Sequence, residues 1–134
     1  MQKAPGTAKK TTAPVVVDPK DCPADVEKLG RHTWTFLHTT AAYYPNTPNE
    51  GQKSSMLSLL KSLPVLYPCS SCASELKEEM KRDPPEPAIK DRDSLSLWMC
   101  RIHNEVNRRL QKEEFDCAKV DERWKDGPAD GRCD

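Results

Sequence analysis

The stretch Asp25-Val26-Glu27-Lys28-Leu29-Gly30-Arg31-His32-Thr33-Trp34-Thr35-Phe36-Leu37-His38-Thr39-Thr40-Ala41-Ala42 reads as one amphipathic helix. Asp25 is a residue type that caps a helix N-terminus, because its carboxylate accepts from free backbone N–H groups. On a 100° wheel, Val26, Leu29, Thr33, Phe36, Leu37 and Thr40 gather on one side, which predicts the core-facing stripe. Arg31, Trp34 and His38 fall together on the opposite side. The turn Tyr44-Pro45-Asn46-Thr47-Pro48 ends the helix.

The same 3.6-residue period continues outward along the chain. Thr47-Pro48-Asn49-Glu50 has the form of a capping box with proline in the first turn. It opens a second helix with Met56, Leu59, Leu60 and Leu63 buried, which Pro64 should kink or end. A third helix starts near Pro68-Cys69 and carries Cys72, Ala73, Leu76 and Met80. Asp83-Pro84-Pro85-Glu86-Pro87 stops it, and 83–93 reads as a charged, proline-rich loop. Ser94 or Asp93 caps a fourth helix over about 94–111, with Leu95, Trp98, Ile102, Val106 and Leu110 spaced for burial. A short fifth helix follows around Cys117–Trp124, then a Gly/Asp/Pro-rich extended tail over 126–134. No alternating run predicts a strand. The architecture is all-α: a four-helix bundle plus a short fifth helix.

Composition narrows the function. The 134 residues carry 21 Lys+Arg against 21 Asp+Glu, a formal net charge of zero. Bulk charge therefore does not predict nucleic-acid binding. Hydrophobic residues make up 36% and the mean hydropathy is −0.81, so the core is small or part of the chain lies outside it. Residues 1–20 are rich in Lys, Thr, Ala and Pro without a lasting period and read as a disordered N-terminal segment, leaving 21–134 as the domain. That segment is basic but has no Arg and no amphipathic period, so a solvated linker fits it better than a transit peptide. No apolar run approaches the roughly 18 residues of a membrane span, and no signal-peptide core is visible.

The chain has six cysteines, which allow 15 complete pairings, so the count fixes no connectivity. Cys69-Ser70-Ser71-Cys72 is a C-x-x-C at a predicted helix start. At i and i+3 both sulfurs lie on one face and can close a small, reducible disulfide. The helix N-terminus stabilises a thiolate, which favours nucleophilic chemistry. Three other uses compete. A zinc site needs a second closely spaced pair, but Cys22, Cys100, Cys117 and Cys133 stand singly. A thioredoxin-like motif needs a βαβ context. A purely structural bond over so short a loop adds little chain-entropy stabilisation. A redox pair in an all-helical protein would need an electron acceptor. A second constellation offers a place for one. His103 and Asn107 are helical neighbours with Asn104 beside them. With Arg31, Trp34, His38, Lys112, Arg123 and Trp124 they can line a groove whose planar rings stack on a flat ligand and whose basic groups bind phosphate.

Leu29-Gly30-Arg31-His32-Thr33-Trp34-Thr35-Phe36-Leu37-His38 resembles the G-R-x-x-W-x-x-L-H signature of the Erv/ALR family of FAD-linked sulfhydryl oxidases. Tyr67-Pro68-Cys69-Ser70-Ser71-Cys72-Ala73 resembles that family's Y-P-C-x-x-C-A motif. Trp98-Met99-Cys100 with His103-Asn104-Glu105-Val106-Asn107 is similar to its W-x-C-x-x-H-N-x-V-N block, and Phe115-Asp116-Cys117 with Arg123-Trp124-Lys125-Asp126-Gly127 completes the series. The blocks occur in family order across residues 21–134. The two ends, Asp21-Cys22-Pro23 and Asp130-Gly131-Arg132-Cys133-Asp134, look most like the animal augmenter-of-liver-regeneration subgroup.

The resemblance implies a homodimeric bundle holding FAD non-covalently. It implies Cys69 and Cys72 as the redox pair, Cys69 attacked by substrate and Cys72 nearest the flavin. It implies a structural disulfide between Cys100 and Cys117 and an intersubunit one using Cys22 and Cys133. Its FAD contacts carry over to Leu29, Gly30, Arg31, Trp34, His38, Cys72, Cys100, His103, Asn104, Val106, Asn107, Lys112, Arg123 and Trp124, with no metal. The implied activity is oxidation of protein or small dithiols, such as an intermembrane-space import oxidoreductase, with electrons passing through flavin to O2, giving H2O2, or to cytochrome c. The implied compartment is the mitochondrial intermembrane space, with a cytoplasmic or secreted short form as the alternative. Longer members carry an extra C-x-x-C shuttle, and residues 1–20 here contain no cysteine, as in a short form. A disulfide-stapled extracellular ligand, in the manner of a growth factor, is the competing function. Yellow protein that bleaches under anaerobic dithiol separates the two.

Overall fold

The computed structural model describes residues 22–134, so the expectation for residues 1–20 lies outside the described residues. The described chain forms α1 (Val26–Ala42), α2 (Glu50–Leu66), α3 (Ser70–Arg82) and α4 (Arg92–Arg109). Short 3-10 turns occupy Glu86–Lys90 and Cys117–Lys119, and a π-helical turn occupies Glu122–Asp126. The all-α reading holds, and the fifth helix is realised as the last two irregular turns rather than one continuous element. α1 packs on α4 and α2 on α3, while the Glu86–Lys90 turn packs against both α2 and α4. Leu60, Leu95, Trp98 and Ile102 are fully buried at the centre, and Met56, Met80, Ala88 and Met99 surround them. The Trp98 indole N–H donates to the Asp83 carbonyl at 2.9 Å, so burial leaves it satisfied.

Each helix starts on a side chain that accepts from its first turn. Asp25 accepts from the Lys28 amide at 2.8 Å, as its position predicts. The α2 box lies two residues beyond the expected Thr47: Asn49 accepts from the Gln52 amide at 2.8 Å, and Gln52 accepts from the Asn49 amide at 3.0 Å. Asparagine caps at least as well as threonine, and Pro48 is buried in the loop ahead of it. Asp91, not Ser94 or Asp93, caps α4 by accepting from the Ser94 amide at 2.8 Å. Pro64 does not end α2, which runs to Leu66. Its missing N–H falls in the last turn, and the Tyr67 amide still closes onto the Leu63 carbonyl at 2.9 Å.

The buried face of α1 differs from its apolar face. Leu37, His38, Ala41 and Ala42 are buried, whereas Phe36 is 57% exposed. The helix is turned by roughly 100°, about one residue step, from the orientation the apolar stripe predicts. Two contacts explain the rotation. The small Ala41 lets α4 approach, so the Ser96 hydroxyl reaches the Ala41 carbonyl at 3.2 Å. His38 and Trp34 turn inward to an aromatic cluster. Leu110, expected in the core, caps α4 and is 53% exposed.

Candidate redox and cofactor site

Cys69 is the N-cap of α3, and its sulfur accepts from the Cys72 amide at 3.4 Å. The two cysteines form a disulfide with a Cα–Cα distance of 5.3 Å. A tight turn at Pro68, closed by the Cys69 amide donating to the Tyr67 carbonyl at 2.8 Å, leaves Cys69 at the helix mouth, where the aligned N–H dipoles favour negative charge on sulfur. The two sulfurs are not equivalent. Cys72 belongs to the wall of a cavity of about 590 Å³, and Cys69 does not. That volume falls within the range of cofactor and ligand pockets.

The cavity gathers nearly every residue that the sequence nominated. α1 supplies Gly30, Arg31, Trp34 and His38. α4 supplies Cys100, His103, Asn104, Val106 and Asn107, and the following segment supplies Lys112, Arg123 and Trp124. Leu29 alone does not reach the wall; its carbonyl instead accepts from the Thr33 hydroxyl at 2.8 Å. Four rings form the cluster within it. Trp34 and His103 stack with centroids 3.9 Å apart, and His38 and Trp124 stack at 4.5 Å. His38 Nε2 lies 2.8 Å from His103 Nδ1, a spacing at which the two imidazoles share one proton. Burial, the neighbouring imidazole and Arg123 push His38 down to about 3. Burial, Lys112 and Arg123 push His103 down to about 4. Both rings are therefore neutral near pH 7, and the positive charge of the site belongs to Arg31, Arg109, Lys112 and Arg123, of which Arg31 and Arg109 pair with Glu27 and Glu75 at 3.7 and 3.6 Å.

Cys100 and Cys117 form a second disulfide with a Cα–Cα distance of 5.8 Å, tying the segment after α4 back to its middle. Asn104 reinforces that tie. Its amide donates to the Phe115 carbonyl at 2.9 Å, and its carbonyl accepts from the Phe115 amide at 2.8 Å and the Asn107 amide group at 3.2 Å. Asn104 thus holds the wall that carries Lys112 and Phe115. Cys22 and Cys133 are exposed, unpaired thiols. Gly127 adopts φ +77°, and a side chain there would stand 3.1 Å from the Cys133 Cβ, so the tail folds back over this glycine.

Sequence reasoning did not place Leu60, Leu63, Leu76, Met80 and Trp98 at the site, although it assigned Leu60, Leu63 and Trp98 to the core. They are both: the apolar floor of the cavity is the outer surface of the core. Thr33 and Tyr67 also reach the wall, and their hydroxyls stand 3.5 Å apart between α1 and the end of α2. Flat rings, an apolar floor and basic groups at the rim fit a planar cofactor with an anionic tail.

Residues 31–125 match the Erv1 / Alr family. The chain belongs to that family. It is 43% identical over 105 residues to the mitochondrial FAD-linked sulfhydryl oxidase ERV1 of Saccharomyces cerevisiae, covering 78% of this chain and 54% of that protein. It is 44% identical over 102 residues to the FAD-linked sulfhydryl oxidase ERV1 of Arabidopsis thaliana, covering 76% and 52%. The chain thus spans about half the length of the curated relatives it matches. The crystal structure of the yeast Erv1 core superposes with a TM-score of 0.78 at 39% identity, over 89% of this chain and 99% of that one. The FAD-binding domain of Erv1 from Saccharomyces cerevisiae superposes with a TM-score of 0.74 at 42% identity, over 78% and 98%.

Proposed function

We propose that this chain is a FAD-dependent thiol oxidase that forms disulfides in dithiol substrates. One observation carries the reading: a disulfide at a helix N-terminus has one cysteine on the wall of an aromatic, basic-rimmed cavity and the other outside it. The relatives' names give the same cofactor and activity for those proteins. The rings of Trp34, His38, His103 and Trp124 and the amide of Asn107 would hold the flavin and adenine planes, and Arg31, Lys112 and Arg123 the diphosphate. When bound, FAD supplies the two-electron acceptor that returns the cysteine pair to its disulfide and hands the electrons to O2, giving H2O2, or to cytochrome c.

The chain's own residues account for the thiol steps. A substrate thiolate attacks the Cys69 sulfur, the one outside the cavity, forming a mixed disulfide and expelling Cys72 as a thiolate. The second substrate thiol then attacks the mixed disulfide, releasing the oxidised substrate and leaving Cys69 reduced. Neutral His38 and His103 add no charge to the cavity at pH 7.

The same reading treats 21–134 as the functional unit, two copies of which form a homodimer. The exposed Phe36 on α1 and Tyr43 at its C-cap support an uncovered subunit face, and the exposed Cys22 and Cys133 are suited to a bond between subunits. We assign the chain to the mitochondrion, and within it to the intermembrane space, where its stable disulfides suit an oxidising compartment. An import oxidoreductase with a dithiol is the substrate class for that compartment. No described helix is long and apolar enough to cross a membrane.

The test is anaerobic titration of the purified, FAD-loaded chain with dithiothreitol. The flavin absorption of the unaltered chain should bleach. Cys72→Ser should keep its FAD and lose the bleaching. A Cys72→Ser protein that reduces its flavin at the full rate, or an unaltered chain that takes up no FAD, overturns the assignment.

A further inference from the structure

The wall formed by Arg123 and Trp124 has little intrinsic reason to stay in place. It lies on the turn Glu122–Asp126, which buries no residue and has no side-chain cap. Trp124 nevertheless stacks on His38, and the Arg123 Cζ stands 3.8 Å over the Trp124 ring. The Cys100–Cys117 bond anchors the segment only at its start. Immediately before the turn stands Asp121, and its carboxylate receives both arms of one guanidinium: Arg92 Nη1 donates at 2.8 Å and Nη2 at 3.1 Å.

Arg92 is placed to fasten three elements at once. It lies in the first turn of α4, its side chain is 16% exposed, and Nη1 also donates to the Ala42 carbonyl at the end of α1 at 3.3 Å. A bidentate guanidinium–carboxylate pair fixes angle as well as distance, which a lysine at the same place does not. The Asp121 carboxyl is held below its usual range by the guanidinium hydrogen bonds, so the pair is charged throughout the neutral range.

We propose that Arg92 and Asp121 are positioning residues that hold Arg123 and Trp124 against the cofactor cavity. Neither lines the cavity, and both act through the segment between them and Trp124. The inference rests on the FAD reading above. Arg101 and Asp83 provide an internal control: Arg101 Nε and Nη2 donate to the two Asp83 oxygens at 2.8 and 3.1 Å, another bidentate pair, approached by the side rather than the end of the guanidinium, at the far end of α3.

The experiment compares the full FAD-loaded chain with Arg92→Ala, Asp121→Ala, the double variant and Asp83→Ala. It reads the rate of FAD release from recovered flavin fluorescence, and the Trp124 indole N–H signal by NMR. Arg92→Ala and Asp121→Ala should each release FAD at least tenfold faster and shift the Trp124 signal. The double variant should be no worse than either single one, and Asp83→Ala should change neither readout. Release within twofold of the unaltered chain, multiplicative losses in the double variant, or an equal effect of Asp83→Ala overturns the clamp. If the unaltered chain holds no FAD, the functional reading falls separately and the indole signal alone decides: an unmoved Trp124 in Asp121→Ala overturns the clamp.

Discussion

His38 and His103 are buried without becoming charged. Their shared hydrogen bond needs one proton, and their neighbours Lys112 and Arg123 oppose a second. The linkage to stability follows from the sign of the shifts. An unfolded histidine takes up a proton near pH 6.5, whereas the folded His103 does so near 4 and His38 near 3. The unfolded state therefore binds more protons in this window, and the pair's contribution, present above pH 6.5, is lost as pH falls towards 4 and then 3. Thermal melts at pH 7 and pH 5 should show a smaller drop for His38→Gln/His103→Gln than for the unaltered chain. Equal drops would remove the pair from the account.

The end of α4 shows how an element shapes the site. The Gln111 amide donates to the Arg108 carbonyl at 3.1 Å and the Lys112 amide to the Asn107 carbonyl at 2.7 Å, the paired closure of a Schellman motif. Its left-handed position is held by Gln111 at φ +60°, where glycine is the usual residue. Gln111→Gly should raise stability by about 0.5–1 kcal/mol, measured by urea unfolding, because it removes the Cβ strain of that conformation against a modest entropy cost. Legibility also divides at this scale. Periodicity located all four long helices, and the C-x-x-C and the helical spacing of His103, Asn104 and Asn107 nominated side chains that the structure brings together around one cavity, because both depend on local geometry. The face of α1 was not legible. Hydropathy places Phe36 inside and His38 outside, and only the aromatic partners on α4 and the last turn reverse that order. The shift of the α2 cap from Thr47 to Asn49 was hidden for a similar reason, since both are good caps and the reciprocal bonds of Asn49 with Gln52 mark which one the helix uses. Arg92 and Asp121 carry no motif, so their pairing appears only when α4 and the chain's end meet.

For the molecule as a whole, a covalent tie supplements a small apolar core. The Cys100–Cys117 bond closes a loop with a sequence separation of 17 residues. Loops of about this length stabilise by roughly 3 kcal/mol in the chain-entropy account. Cys100→Ser/Cys117→Ser should lower the thermal midpoint by several degrees and speed FAD loss, read by differential scanning calorimetry and flavin fluorescence, because the wall carrying Lys112 and Phe115 loses its tether. Cys100 is 1% exposed, and the Asn104 amide lies 3.5 Å from the Cys117 sulfur. On the thiol-oxidase reading, the molecule carries a second disulfide of its own beside the chemistry that makes them. On that same reading, electrons enter at Cys69, and the burial of Cys100 works as insulation that keeps substrate thiols away from the weld holding the last segment in place.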